Sequence, residues 1–243
     1  MALSMHMKKP ASPSTVRINK HMADIGLASR READEYIEKG LVLVNGKKAE
    51  RGMQIDPKKD KVQLKGGSQQ SYVYYAYNKP VGIVTTLPQG DEKDILGSTK
   101  FHKKVFPVGR LDKDSHGLIL LTNDRRITHR LLSPNFSHEK EYRVTIKGQL
   151  SHSFVRKLEL GIIIDKVRTK PIKVFRENEH TFRIILTEGR NRQIRQMVEA
   201  AGDTVVDLLR IRIEHIKLGT LKEGEFKSVS KADMATLLKK LGL

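Results

Sequence analysis

The chain has 243 residues, 46 Lys+Arg against 28 Asp+Glu, a net charge of +18 and no cysteine. That excludes disulfides, a thiol nucleophile and Cys-ligated zinc, and no apolar run approaches the ~18 residues of a membrane-spanning helix. The excess charge is spread, +6 over residues 1–66 and +12 beyond, so both halves are expected to face one polyanion, and nucleic acid is the leading partner.

Residues 1–15 read as a disordered basic tail without the apolar stretch of a secretory signal. Ile18, Met22 and Ile25 then recur at helical spacing, with Gly26 as a stop. Ser29-Arg30-Arg31-Glu32 has the form of a capping box and starts a second helix, with Ala33, Tyr36 and Ile37 on one face. Residues 41–44 and 47–52 flank Asn45-Gly46, a hairpin-turn signal because both residues tolerate positive φ. Val62-Gln63-Leu64 reads as a short strand, and 65–71 as a linker. The order of two helices, Ser-Arg-Arg-Glu and Val-Asn-Gly over residues 16–66 resembles the S4 RNA-binding domain. That resemblance implies a grip on structured RNA, with Arg17, Lys20, Arg30, Arg31, Lys47 and Lys48 on the polar positions.

After the linker the pattern changes to strands. Residues 72–77 are tyrosine-rich and β-prone, and Lys79-Pro80-Val81-Gly82 supplies a turn. Further strands are predicted at 117–122, 141–147, 171–176, 181–187 and 214–218. Helices are predicted at 125–132, 151–159, 191–201 and 231–240. Strands dominate and helices interrupt them irregularly, which argues for an α+β fold, with a mixed, mainly antiparallel sheet over 72–243.

Three segments carry candidate chemistry. Arg110-Leu111-Asp112 precedes an apolar run, with Asp114 two residues on, where a strand would put both carboxylates on one face. Lys140-Glu141-Tyr142 brings a tyrosine into a strand amid charges. Asn191-Arg192-Gln193-Ile194-Arg195 opens an amphipathic helix. Taken singly, each has a structural explanation as ready as a chemical one: a salt bridge, a sheet residue, a phosphate-binding helix face. No His-x-x-x-His, Walker-type loop, Gly-x-Gly-x-x-Gly or Gly-x-Ser-x-Gly occurs, so neither a protein-held metal nor a nucleotide cofactor is indicated.

Together, in this order and behind an S4-like region, the three segments resemble the RsuA-type pseudouridine synthases, nearest the RluF-like enzymes of large-subunit ribosomal RNA. The resemblance implies isomerisation of uridine to pseudouridine in rRNA, with 23S rRNA as the expected target, presented as a structured stem-loop. It implies Asp112 as the nucleophile or base that opens the glycosidic bond, Arg195 as its ion-pair partner, and Tyr142 stacked on the base. It implies Ile194 packed beneath the base and Arg110 in the gap left by the flipped nucleotide, while the residues themselves put Arg192 on a phosphate-facing side. No cofactor, a cytoplasmic location and a monomer complete the expectation. A non-catalytic S4-type ribosome assembly factor and a tRNA-directed synthase are the competing readings.

Overall fold

The computed structural model describes residues 15–65, 71–99, 101, 104–132 and 137–243, which form two compact units dividing after residue 70. The expected basic tail, apart from Thr15, and most of the expected linker lie outside the described residues.

The first unit runs β1 (Val16–Arg17), α1 (Ile18–Asp24), α2 (Arg30–Glu38), β2 (Val42–Val44), β3 (Lys47–Lys48), β4 (Gln54–Ile55) and β5 (Val62–Leu64). The capping box forms as written. Ser29 Oγ accepts from the Glu32 amide at 3.1 Å, and Glu32 Oε2 accepts from the Ser29 amide at 2.8 Å. Asn45 takes a left-handed φ of 50° and turns β2 into β3, while β5 pairs with the other edge of β2. Ile18, Met22, Ala33, Ile37, Val42 and Ile55 close the core. Ile25 corrects the expected stripe: it is the C-cap of α1 and 40% exposed. The two-residue pair β1–β4 went unforeseen, because so short a strand has no period to read.

The second unit contains β6 (Tyr74–Lys79), α3 (Ile95–Ser98), β7 (Phe106–Val108), β8 (His116–Thr122), α4 (Arg125–Leu132), β9 (Lys140–Ile146), α5 (His152–Glu159), β10 (Ile163–Ile164), β11 (Val167–Arg168), β12 (Lys173–Arg176), β13 (Thr181–Leu186), α6 (Gln193–Ala201), β14 (Val205–Ile213), β15 (Ile216–Lys217), β16 (Phe226–Ser228) and α7 (Lys231–Leu241). Among the described residues, nine strands make one sheet in the order β12-β13-β9-β14-β8-β6-β16, with β7 on β8 and β15 on β14. The pairs are antiparallel except β14–β8, which is parallel and short (Leu209 opposite His116, Arg210 opposite Gly117). No helix among the described residues is long and apolar enough to cross a membrane.

This parallel seam divides the packing. On one side Val144, Phe182, Ile184, Leu208 and the buried faces of α5 and α6 form one core. On the other, Leu118, Leu120, Ile127, Leu131, Leu237 and Leu241 join β8 to α4 and α7. A third, aromatic cluster sets Tyr75 edge-on to Phe226 at 5.1 Å. Gly117 marks the seam: its φ is 104°, and a Cβ there would lie 2.4 Å from the Arg210 carbonyl. Only glycine lets the two backbones meet so closely.

Two expectations change here. The strand foreseen at 214–218 is only Ile216–Lys217, because Glu214 takes a φ of 51° in the preceding turn. The long strand is β14, nine residues earlier in onset, at the centre of the sheet.

Candidate active site

The segment 109–115 is a loop and turn rather than the strand that would align its two aspartates. The Ser115 amide donates to the Asp112 carbonyl at 3.1 Å, closing a turn around Lys113 and Asp114. Thr85, itself buried, fastens the loop from behind, donating from Oγ1 to the Leu111 carbonyl at 2.6 Å and accepting from the Leu111 amide at 3.0 Å. Gly109, at φ 82°, passes so close to Leu132 that a Cβ would stand 2.9 Å from its Cδ2. The backbone that carries Asp112 is thus fixed on both sides while its side chain stays 30% exposed.

α6 meets this turn with its first residues. Arg192, the N-cap, adopts φ 46° and ψ 31°, a left-handed conformation uncommon outside glycine and asparagine. Its guanidinium grips Asp114 with two parallel hydrogen bonds, Nη1 to Oδ1 at 3.1 Å and Nη2 to Oδ2 at 2.9 Å. The same Nη1 lies 3.7 Å from Asp112 Oδ2. Arg192 is the first cause that holds the Asp114 carboxyl below the usual carboxylate range.

Arg195 sits one helical turn on and serves the same segment differently. It donates from Nη2 to the Asp114 carbonyl at 2.7 Å and to Ser115 Oγ at 3.2 Å, and its Nε lies 3.2 Å from Asp114 Oδ2. The expected ion pair between Arg195 and Asp112 is therefore redistributed: Arg192 faces Asp112, and Arg195 holds the turn that carries it. Residues three apart share a helix face, so spacing alone could not separate the two arginines.

Asp112, Arg110, Tyr142, Arg192 and Ile194 line one cavity of about 540 Å³. Tyr142 reaches it from β9, and Ile194, 4% exposed, from the first turn of α6. Gln193 braces that turn, accepting from the Arg190 amide at 3.0 Å and donating to Glu188 at 2.6 Å.

Arg210, Lys140 and Lys79 had no expected role here. Arg210 lines the cavity from β14, is 5% exposed, and donates from Nε to the Leu118 carbonyl at 2.6 Å and from Nη1 to the Arg110 carbonyl at 3.5 Å. Lys79 is fully buried and donates to the carbonyls of Pro80 and Ile83 at 2.8 and 2.6 Å. Burial pushes its pKa down to about 8. Charged side chains inside apolar runs, as in Leu208-Leu209-Arg210-Ile211, were the signal available in the sequence.

In the first unit, Arg17, Arg30, Arg31, Lys47 and Lys48 are exposed and Lys20 is half-buried. Among the described residues these six make no ion pair.

A model of the RNA pseudouridylate synthase family matches residues 73–200, and one of the S4 domain matches residues 16–61. The dual-specificity RNA pseudouridine synthase RluF of Escherichia coli (strain K12) is 42% identical over 231 residues, covering 93% of this chain and 79% of that protein. The uncharacterized RNA pseudouridine synthase YtzG of Bacillus subtilis (strain 168) is 32% identical over 234 residues, 91% of this chain and 98% of that one. A solved structure described as pseudouridylate synthase superposes with a TM-score of 0.69 at 28% identity, over 91% of this chain and 99% of that one.

Proposed function

The chain belongs to the RNA pseudouridylate synthase family and carries an S4 domain, so it is an isomerase acting on uridine in RNA; on that premise we propose that its substrate is ribosomal RNA, specifically a stem-loop of 23S rRNA. The observation that carries the catalytic reading is the convergence of Asp112 and Tyr142 in one cavity whose rim is arginine and whose inner wall includes Ile194. Uridine must leave the helical stack before C1′ is accessible. Tyr142 and Ile194 would sandwich the extruded base, and Arg110, exposed at the mouth, would fill its place in the RNA.

Asp112 then attacks C1′, or takes the C2′ proton on a glycal route, and the N1–C1′ bond breaks. The base rotates and C5 joins C1′ as the Asp112 carboxylate leaves it or, on the glycal route, as C2′ regains its proton; the C5 proton is lost while N1 gains one, with no redox change. The Arg192–Asp114–Arg195 cluster keeps the turn rigid so that the Asp112 carboxylate is delivered rather than sought.

Residues 16–66 act as the RNA handle and 72–243 as the catalyst, in a monomeric cytoplasmic protein, with 1–15 as a basic tail. The word dual-specificity in the name of the E. coli relative favours testing a second RNA class, and tRNA is the one to test. The deciding experiment is pseudouridine mapping of rRNA and tRNA from cells with and without this protein. A single 23S position that loses its modification supports the reading; unchanged rRNA with a lost tRNA position moves the substrate.

A further inference from the structure

Lys140, Tyr142, Leu186, Leu208 and Arg210 all line the cavity, and strand register puts them on one face of the sheet. Tyr142 stands opposite Arg210 on β14, Lys140 stands opposite Leu186 on β13, and Lys140 precedes Tyr142 by two residues on β9. Two cations thus sit in a floor that is otherwise aromatic and aliphatic.

Neither cation is fully used by the protein. Arg210 Nη2 is buried with no hydrogen-bond partner among the described residues. Lys140 is half-buried, and its ammonium makes no hydrogen bond or ion pair among the described residues. Burial first, and the Arg210 charge second, lower its pKa; Glu214 opposes this from a distance but is already held by His138 and Lys240. An unpaired cation kept away from water is costly, and such groups concentrate where a substrate supplies the missing charge.

We propose that Lys140, backed by Arg210, is the electrostatic partner of the uracil ring while it is detached from the ribose. The inference rests on the isomerase reading above and deepens it. When the N1–C1′ bond breaks, its electron pair leaves with the base and spreads over N1, O2 and O4. Asp112 bonds to C1′, or the C2′ proton is transferred to a base and a glycal remains. The ring charge disappears when C5 bonds to C1′, which releases the Asp112 carboxylate or, on the glycal route, is matched by return of the proton to C2′; C5 then gives up its proton and N1 takes one, so atoms and electrons balance with no added reactant. A cation already in place beside that charge, in a largely apolar floor that a bound base would cover, stabilises it more than solvent could. Of the other arginines that line the cavity, Arg192 holds Asp114, Arg190 donates to the carbonyls of Val167 and Arg168, and Arg110, exposed at the mouth, is the one assigned above to the gap in the RNA.

The test is single-turnover kinetics of the full chain at saturating RNA, with uridine or 5-fluorouridine at the target position. Fluorine withdraws electron density, so 5-fluorouracil departs as a more stable anion and needs the lysine less. K140M should slow glycosidic cleavage on the order of 100-fold for uridine, and clearly less for 5-fluorouridine, with RNA affinity unchanged and partial recovery in K140R. If K140M melts early, K140Q gives the same comparison. An equal loss on both substrates overturns the inference, as does a wild-type rate. A loss confined to affinity, with a shallower salt dependence, also overturns it and puts Lys140 on a phosphate. Wild-type protein that forms no pseudouridine in either RNA class would sink the functional reading instead, a result distinct from all of these.

Discussion

The six cations proposed to face RNA in the first unit and the arginines around the Asp112 turn and β14 in the second are held in opposite ways. In the first, Arg17, Arg30, Arg31, Lys47 and Lys48 are exposed and unpaired among the described residues. In the second, Arg192, Arg195, Arg210 and Arg212 are tied to carboxylates and carbonyls at 2.5–3.5 Å. Exposed charges act through a field that salt screens within ~10 Å at 0.1 M, so their contributions to RNA capture should add and fade with ionic strength. Tied charges act through geometry, so each is needed in its place. On the proposed reading, capture is distributed and reaction is local.

The sharpest way to break that contrast is at Asp112. D112N keeps the shape and removes the attacking charge; product should fall on the order of a thousandfold or more while RNA binding stays near wild type. Tritium release from 5-³H-uridine RNA reads the first, and filter binding the second. A D112N protein that reacts normally would move the nucleophile elsewhere.

Next comes Arg192. R192A frees Asp114 and lets the turn drift, and misplacement by about 1 Å costs roughly 100-fold in rate. R192K should recover little, since one ammonium cannot reproduce the paired hydrogen bonds from Nη1 and Nη2. Equal rates for R192K and wild type would show that charge alone suffices, and the distinction between the units would collapse.

A smaller, graded effect belongs to the first unit. Neutralising three of its six cations should raise KM and leave single-turnover rate at saturation almost unchanged. For every phosphate that the protein no longer neutralises, the slope of log K against log salt should flatten by about 0.7–0.9. A changed saturating rate with an unchanged slope would assign these residues to the chemistry instead.

The smallest expected changes are structural. T85V removes a buried hydroxyl that both donates and accepts and should cost about 1–3 kcal/mol of stability. S29A removes the α2 cap and should cost about 1 kcal/mol. Thermal melts check both. Only T85V should also lower turnover, because Thr85 holds the Asp112 loop.

What the sequence made legible was local. The capping box, the Asn-Gly turn and helix α6 each depend on residues within a few positions, and each formed where expected. β14 was missed because Val205–Ile213 lies mid-sheet between β9 and β8, and its apolar run carries no clean alternation for one exposed face. The site divides in the same way. Asp112, Tyr142 and Ile194 stood out through motifs, and one cavity brings them together. The exchange between Arg192 and Arg195 needed coordinates, since one left-handed residue at the helix start decides which guanidinium faces Asp112. Lys140 and Arg210 lie far apart in sequence on the neighbouring strands β9 and β14, and only strand register reveals that they share a face.

The parallel seam at Gly117 has a temporal consequence. Asp112 arrives on the chain that becomes β8, and the carbonyl of Arg110 beside it waits for a guanidinium encoded 100 residues later, on β14. During synthesis the first unit and the Asp112 loop leave the ribosome well before that strand exists. On the proposed division of labour, a nascent chain would have its means of holding RNA before it has a finished cavity, and would stay chemically silent until β14 slots between β9 and β8. The glycine at the seam makes that closing step sensitive to a single methyl group. Turnover by such a protein doubles as a report that its last-made half has found its register.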